Sequence, residues 1–185
     1  LGLEPAGLGT VERNTVDVAK AVADIVPSNA NAIVQISAYK SCAAFIRAAR
    51  KAGFGGTFHN VSFVGTQALA DELGPDGKGV VISQVMPFPY SQSMPITREF
   101  HAAIAKANGV AANYSSLEGY LAAKVFADGL RRAGRNPTRE QLISGLEAIQ
   151  RADFGGFAVD FGVRDRVASS YVDLSMLTGD GKVRR

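Results

Sequence analysis

The chain changes rhythm midway. Up to about residue 86 short apolar runs alternate with helical stretches, and beyond residue 95 nearly every stretch repeats its apolar positions at helical spacing. In the first part, Ala32-Ile-Val-Gln-Ile36 is a short apolar run of the kind that fills a parallel sheet covered on both faces. Thr57 to Val61 and Gly79-Val-Val-Ile-Ser-Gln-Val85 read as further strands, and Ala6 to Glu12 as a short one. Helices lie between them. Val18, Val22 and Ile25 keep helical spacing behind an Asn14-Thr-Val-Asp17 cap. Ser41 to Ala52 gathers Ala44, Phe45, Ala48 and Ala49 on one side and stops at Gly53, and Gln67 to Leu73 forms a short helix. The order is βαβαβ. Parallel strands need crossover connections, and these are right-handed, so residues 1–86 are expected to form part of a doubly wound α/β sheet with helices on both faces.

Met86-Pro-Phe-Pro-Tyr90-Ser-Gln-Ser-Met-Pro95 ends the alternation. Proline fixes φ, lacks a donor and restricts the residue before it, so Pro87, Pro89 and Pro95 predict an extended strap between two lobes. Past it, Ile96, Phe100, Ala103, Ile104 and Ala107 make one apolar stripe. The helix from Ser115 to Arg132 differs, because Leu117, Tyr120, Leu121, Val125, Phe126 and Leu130 cover most of its circumference. Ser115-Ser-Leu-Glu118 fits a capping box, which makes a cap the better reading of Glu118 than a charged site residue. Thr138 with Gln141 opens a third helix to about Ile149, and Gly156 to Phe161 and Ser170 to Leu177 read as strands. Burying a large apolar side chain stabilises by roughly 1.5–3 kcal/mol. Several of them left in water forfeit on the order of 10 kcal/mol, the whole stability of a small domain. The second lobe is therefore expected to be incomplete, with its remaining strands upstream of Leu1, where the chain starts without methionine.

Composition narrows the class. Of 185 residues 46% are apolar and 20% charged, an ordinary globular profile that argues against disorder. The net charge of +3 is scattered without a basic stripe, so nucleic acid is not an expected partner. No apolar run approaches the roughly 18–20 residues of a membrane helix, and no signal peptide opens the chain. A single cysteine, Cys42, excludes an internal disulfide and a cysteine metal site.

An ordered set of short motifs then carries a resemblance. Ala38-Tyr39 after a strand, Gly53, Val61-Ser-Phe-Val-Gly65, Leu69, Leu73-Gly74, Gly79-Val-Val and Val85-Met-Pro87 occur in the first part. Ser116-Leu-Glu-Gly-Tyr120, Arg131-Arg-Ala-Gly134, Thr138-Arg139, Asp153-Phe-Gly-Gly156 and Leu177 to Lys182 occur in the second. Together they resemble the type I periplasmic solute-binding proteins of branched-chain amino acid ABC transporters, over essentially the whole chain and roughly the C-terminal half of such a protein. The resemblance implies two α/β lobes joined by three crossovers. It assigns residues 1–86 and 168–178 to the C-terminal lobe, 87–95 to a crossover and 96–166 to a returning part of the N-terminal lobe. It also implies a periplasmic or membrane-tethered extracellular location, a small-molecule ligand and a membrane permease as partner, with no cofactor.

Topology points to the candidate chemistry. Open parallel sheets bind ligands outside the carboxyl ends of their strands, which here are Ser37 to Ser41, Ser62 to Thr66 and Met86 to Tyr90. Tyr39 can lie against a ligand and bond it, or pack beneath its loop. The resemblance adds a ligand-contacting tyrosine at this strand end, and Ala38 beside it. Ser62 and Phe63 offer one hydroxyl and one aromatic wall, the alternative being a turn serine and a core phenylalanine. Amino acid binders of the family hold the ligand ammonium with an acidic side chain where this chain has Ser62, which admits neutral or carboxylated ligands, aromatic acids included. Tyr120 and the strap aromatics Phe88 and Tyr90 are further candidates for lining a cleft, or for packing on a lobe.

Enzyme readings fare worse. Gly53-Phe-Gly-Gly56 comes after a helix and precedes a strand, the reverse of a phosphate loop. Asp153-Phe-Gly155 matches a kinase motif in letters only. His59 and His101 have no partner at metal or catalytic spacing. Cys42, in the first turn of a helix, is read as a small packed residue rather than a reactive thiol. The expected function is non-covalent capture of a small metabolite for transport, with a sensor module of the same fold as the alternative and an α/β enzyme third.

Overall fold

In the computed structural model residue 2, residues 4–161 and residues 166–185 are described, so Leu1, Leu3 and the stretch 162–165 of the expected returning segment lie outside it. The elements are α1 (Ala19–Ile25), β1 (Ala32–Gln35), α2 (Tyr39–Lys51), β2 (Thr57–Asn60), α3 (Thr66–Leu73), β3 (Val81–Gln84), α4 (Pro95–Ile104), α5 (Tyr114–Ala133), α6 (Arg139–Glu147), β4 (Ala152–Asp153), β5 (Ala158–Val159), β6 (Asp173–Leu177) and β7 (Val183–Arg184). They form two compact units, Leu1–Gln84 with Leu174–Arg185, and Val85–Asp173.

The first unit is built on a sheet of order β1-β2-β3-β6-β7. Its first three strands are parallel and β6–β7 is an antiparallel hairpin. Ile33, Phe58 and Ile82, one from each parallel strand, are buried with Phe45, Ile46, Leu69 and Leu73 of α2 and α3. The opposite face differs from expectation: Val34 is 68% and Ile36 73% exposed, and Leu174 and Met176 are exposed too. Strands used in the order 1-2-3 with right-handed crossovers put both crossing helices on one side, which is why α2 and α3 are neighbours.

Local chemistry explains the ends. α2 stops in a Schellman motif, with Phe54 N–H donating to the Ala49 carbonyl at 3.0 Å and Gly53 N–H to that of Arg50 at 2.9 Å. That motif needs a left-handed residue, and Gly53 has φ +93°. The expected strand Ala6 to Glu12 joins no ladder among the described residues; Gly9 instead lies close against Ala21 and Ile25 of α1. α1 begins only at Ala19, with Val18 as its cap residue and the Asp17 carboxylate accepting from Ala19 N–H.

In the second unit α4, α5, α6 and the β4–β5 pair surround Ile96, Leu121, Ile149, Phe157 and Val159. Pro95 does not belong to an extended strap. It is the first residue of α4, where its missing N–H costs nothing and its fixed φ suits the helix. Gly156 to Phe161 contributes only the two residues of β5, whose antiparallel partner β4 had no sequence signal. Phe126 on α5 is 47% exposed. It borders an open apolar recess of about 430 Å³ lined also by Met86, Val125, Phe157 and Phe161.

The cap of α5 corrects the sequence reading. Asn113, not Ser115, caps it: Asn113 Oδ1 accepts from Ser116 N–H at 2.8 Å and Ser116 Oγ accepts from Asn113 N–H at 3.0 Å. Glu118 is therefore too late in the helix to be the partner, and it lies exposed at the rim of the apolar recess. Asn113→Ala should lower the midpoint of chemical unfolding by an amount equivalent to about 1 kcal/mol, while Ser115→Ala leaves it almost unmoved. The Thr138 and Gln141 box on α6 forms as expected.

Candidate functional site

β1 and β2 run parallel with Gln35 beside Asn60, so both strands end at the same edge of the sheet, about 4.8 Å apart. The turns that leave the two strands are therefore held side by side. After β1 the chain turns through Ser37 and Ala38, whose extended backbone (φ −73°, ψ 158°) caps α2 without a side-chain hydrogen bond. Ala38 is exposed and Tyr39, the first residue of α2, is half-buried. Lys40 Nζ stands 5.9 Å from the centre of the Tyr39 ring, a cation over an aromatic face.

After β2 a single 3-10 turn spans Ser62–Val64. Gly65 takes φ +80° and turns the chain into α3. This turn sends Val64 into the core and Phe63 outward, 64% exposed, which removes the reading of Phe63 as a core residue. The Ser62 hydroxyl makes no hydrogen bond among the described residues, whereas its carbonyl accepts from Gly65 N–H at 3.3 Å. Segments 37–41 and 62–66 hold one charged side chain, Lys40, and no carboxylate. The uncapped amides of α2 and the Lys40 ammonium give this edge a positive bias.

The structure thus brings Ala38, Tyr39, Ser62 and Phe63 to one sheet edge of the first unit. Phe88 and Tyr120 belong to the second unit. There Phe88 meets Tyr90 and Tyr114 edge-on at 5.2 and 6.4 Å, and His101 Nε2 donates to the Pro89 carbonyl at 2.8 Å, so the strap is pinned to α4 and α5. Tyr120 leans on Phe100 at 5.7 Å with Lys124 Nζ 5.9 Å from its ring. A recess of about 260 Å³ in the first unit opens along β1 between Thr10, Gln35, Ser37 and Phe45 rather than over Tyr39.

His59 Nε2 shares a hydrogen bond with Thr57 Oγ1 at 3.0 Å, and His101 is spent on Pro89. Among the described residues no group of three or more His, Cys, Asp or Glu is placed to hold a metal ion, and no helix is long and apolar enough to cross a membrane. Cys42 is 1% exposed, and burial pushes its thiol from 9.0 up to about 11. A neutral thiol is a poor nucleophile, so the native protein should resist thiol reagents at neutral pH. The unfolded thiol ionises before the folded one, so folding weakens between about pH 9 and about pH 11 and is untouched below. Comparing melting points of the parent and Cys42→Ala across that window isolates the effect, which disappears in the variant.

Two features of this edge carry no simple sequence signal. Lys40 gains its significance only from its position over Tyr39. Gln35, Asn60 and Gln84 end the three parallel strands, and all three are buried on the helix-covered face, an amide where each strand pattern calls for an apolar residue.

A family model described as periplasmic binding protein matches residues 1–182. No curated protein matches the chain. Among solved structures, a possible leucine/isoleucine/valine-binding protein from Rhodopirellula baltica SH 1 superposes with TM-score 0.89 at 29% identity, over 95% of this chain and 48% of that one. A substrate-binding periplasmic protein from Ralstonia solanacearum gives 0.81 at 34% identity, over 92% and 50%. An extracellular ligand-binding receptor from Verminephrobacter eiseniae gives 0.72 at 27% identity, over 89% and 49%. The chain spans about half the length of these structures.

Proposed function

The chain belongs to the periplasmic binding protein family, with the type I α/β fold, and on that ground we propose that it is part of an extracytoplasmic receptor that captures a small metabolite and delivers it to the permease of an ABC transporter. The first unit corresponds to most of the C-terminal lobe, and the second unit to a returning part of the N-terminal lobe. Capture makes no bond. The observation that carries this reading is the pairing of Tyr39 with Ser62 and Phe63 on adjacent strand ends: two aromatic faces and two hydroxyls on an exposed edge.

The same edge informs the ligand class. An ammonium group held by this lobe would find no carboxylate at the two strand ends, where Ser62 offers the weaker acceptor, a hydroxyl. Lys40 and the α2 amides suit an anionic or neutral polar end, and Phe63 and Tyr39 an apolar or aromatic body. An organic or aromatic acid fits this edge better than a branched-chain amino acid, although several similar structures carry leucine-binding or branched-chain amino acid names.

The test uses the complete protein. Denaturing mass spectrometry identifies what copurifies, and a thermal-shift panel of branched amino acids and aromatic acids ranks the classes, since a ligand that binds only the folded state raises its melting point. Aromatic or other organic acids should give the larger shift. Tyr39→Ala should weaken the best ligand about 10- to 100-fold by calorimetry, the effect of truncating a central aromatic contact. An unchanged affinity removes Tyr39 from the site, and a panel led by leucine or valine reverses the ligand class.

A further inference from the structure

Gln84 ends β3, immediately before the chain passes into the second unit, and β6 begins where it returns. Its side chain is 1% exposed, and its Nε2 donates twice, to Thr66 Oγ1 at 2.9 Å and to Ser175 Oγ at 2.6 Å. Thr66 is the first residue of α3 and sits directly behind the turn that carries Ser62 and Phe63. Ser175 lies in β6, and its hydroxyl donates onward to the Ile82 carbonyl of β3 at 3.3 Å. Thr66 and Ser175 are buried with it.

A primary amide has two N–H donors in one rigid plane, so a rotation that serves one partner disturbs the other. An apolar residue here would take the amide donor away from the buried Thr66 and Ser175 hydroxyls, so the three side chains hold one another in one arrangement. Hydrogen bonds of fixed direction make this triad orient its partners as well as pack them. We infer that Gln84 is a positioning residue that couples the Ser62–Phe63 turn to the two strands by which the chain leaves and re-enters the first unit. Movement at those crossings is felt at the turn, and a ligand seated on the turn biases the crossings. The inference deepens the receptor reading, since such coupling has a use only where two lobes move.

Hydrogen–deuterium exchange on the complete protein, without any ligand, tests it. Ser175→Ala removes one hydroxyl that touches none of residues 62–66. Within 62–66 the amides of Val64 and Gly65, which donate to the Val61 and Ser62 carbonyls, should nevertheless exchange about tenfold faster, the worth of one buried hydrogen bond, while those of α2 stay within about twofold of the parent. Gln84→Met should act in the same way. Unchanged protection at 62–66 in Ser175→Ala overturns the inference, and so does an equal acceleration across β1, β2 and α2, which would make the triad mere core. If Gln84→Met does not fold, Ser175→Ala decides alone. Because no ligand enters the measurement, a protein that captured nothing would refute the receptor reading and leave this result to stand or fall by itself.

Discussion

Phe58→Ala is expected to destabilise the first unit by about 3–5 kcal/mol, a large part of the roughly 5–15 kcal/mol that holds a typical domain together. Phe58 is 1% exposed at the centre of β2. Its ring meets Phe54 edge-on at 5.1 Å, and the Arg50 guanidinium lies 5.5 Å from its centre. Removing it opens a void that neither α2 nor the Schellman turn can close, because Phe54 is itself locked in that turn. Urea unfolding followed by circular dichroism reads the loss as a lowered midpoint at constant slope. Phe63→Ala is the internal control: its ring is largely in water, so stability should change by less than about 0.5 kcal/mol. A small effect at Phe58 would mean that β2 is not the core strand of this unit.

Gly145→Val should cost the second unit about 3 kcal/mol, from overpacking. α5 and α6 approach each other closely where Gly129 faces Gly145. A Cβ at Gly145 would collide with the Gly129 carbonyl oxygen and come within 2.9 Å of Ala133 N. Those are backbone atoms of a packed helix, and they yield only if the two helices separate. Gly129→Ala presents the milder case: its Cβ would meet Leu146 Cδ2 at 2.5 Å, the far end of a side chain that can turn away. Thermal melts of the two variants should therefore rank Gly145→Val far below Gly129→Ala, and equal losses would contradict this helix contact.

These predictions rest on elements that were legible to different degrees. β1, β2 and β3 were readable because apolar runs such as Ala32 to Ile36 are short and bounded by turn residues, and their order with α2 and α3 left parallel pairing as the natural outcome. The Thr138 and Gln141 box was readable because its spacing is unique in that stretch. The α5 cap was not, because Asn113 and Ser115 are both good cap residues two positions apart, and backbone geometry alone chooses between them. β4 and β7 are two residues each, too short for any periodicity to register, while the strand expected over Gly156 to Phe161 forms only as the two residues of β5.

The site divides in the same way. Tyr39 and Ser62 were placed at strand ends by the order of elements, and the absence of a carboxylate there is visible in the letters alone. That Phe63 turns outward while Val64 turns in was not visible, since two adjacent apolar residues can exchange faces with one residue of slip. The Gln84 network was also hidden: Thr66 and Ser175 are 18 and 91 positions from Gln84, and only the sheet brings them together.

By itself the sequence determined the αβ alternation, the parallel strands and the chemical poverty of the strand ends in acids and metal ligands. These are consequences of local spacing and residue type, which act within a few residues. Tertiary structure decided which face of the sheet is covered, which of two residues caps α5, and how Gln84 reaches Thr66 and Ser175. Each depends on geometry built by distant parts of the chain, and no local preference can choose among partners it does not touch.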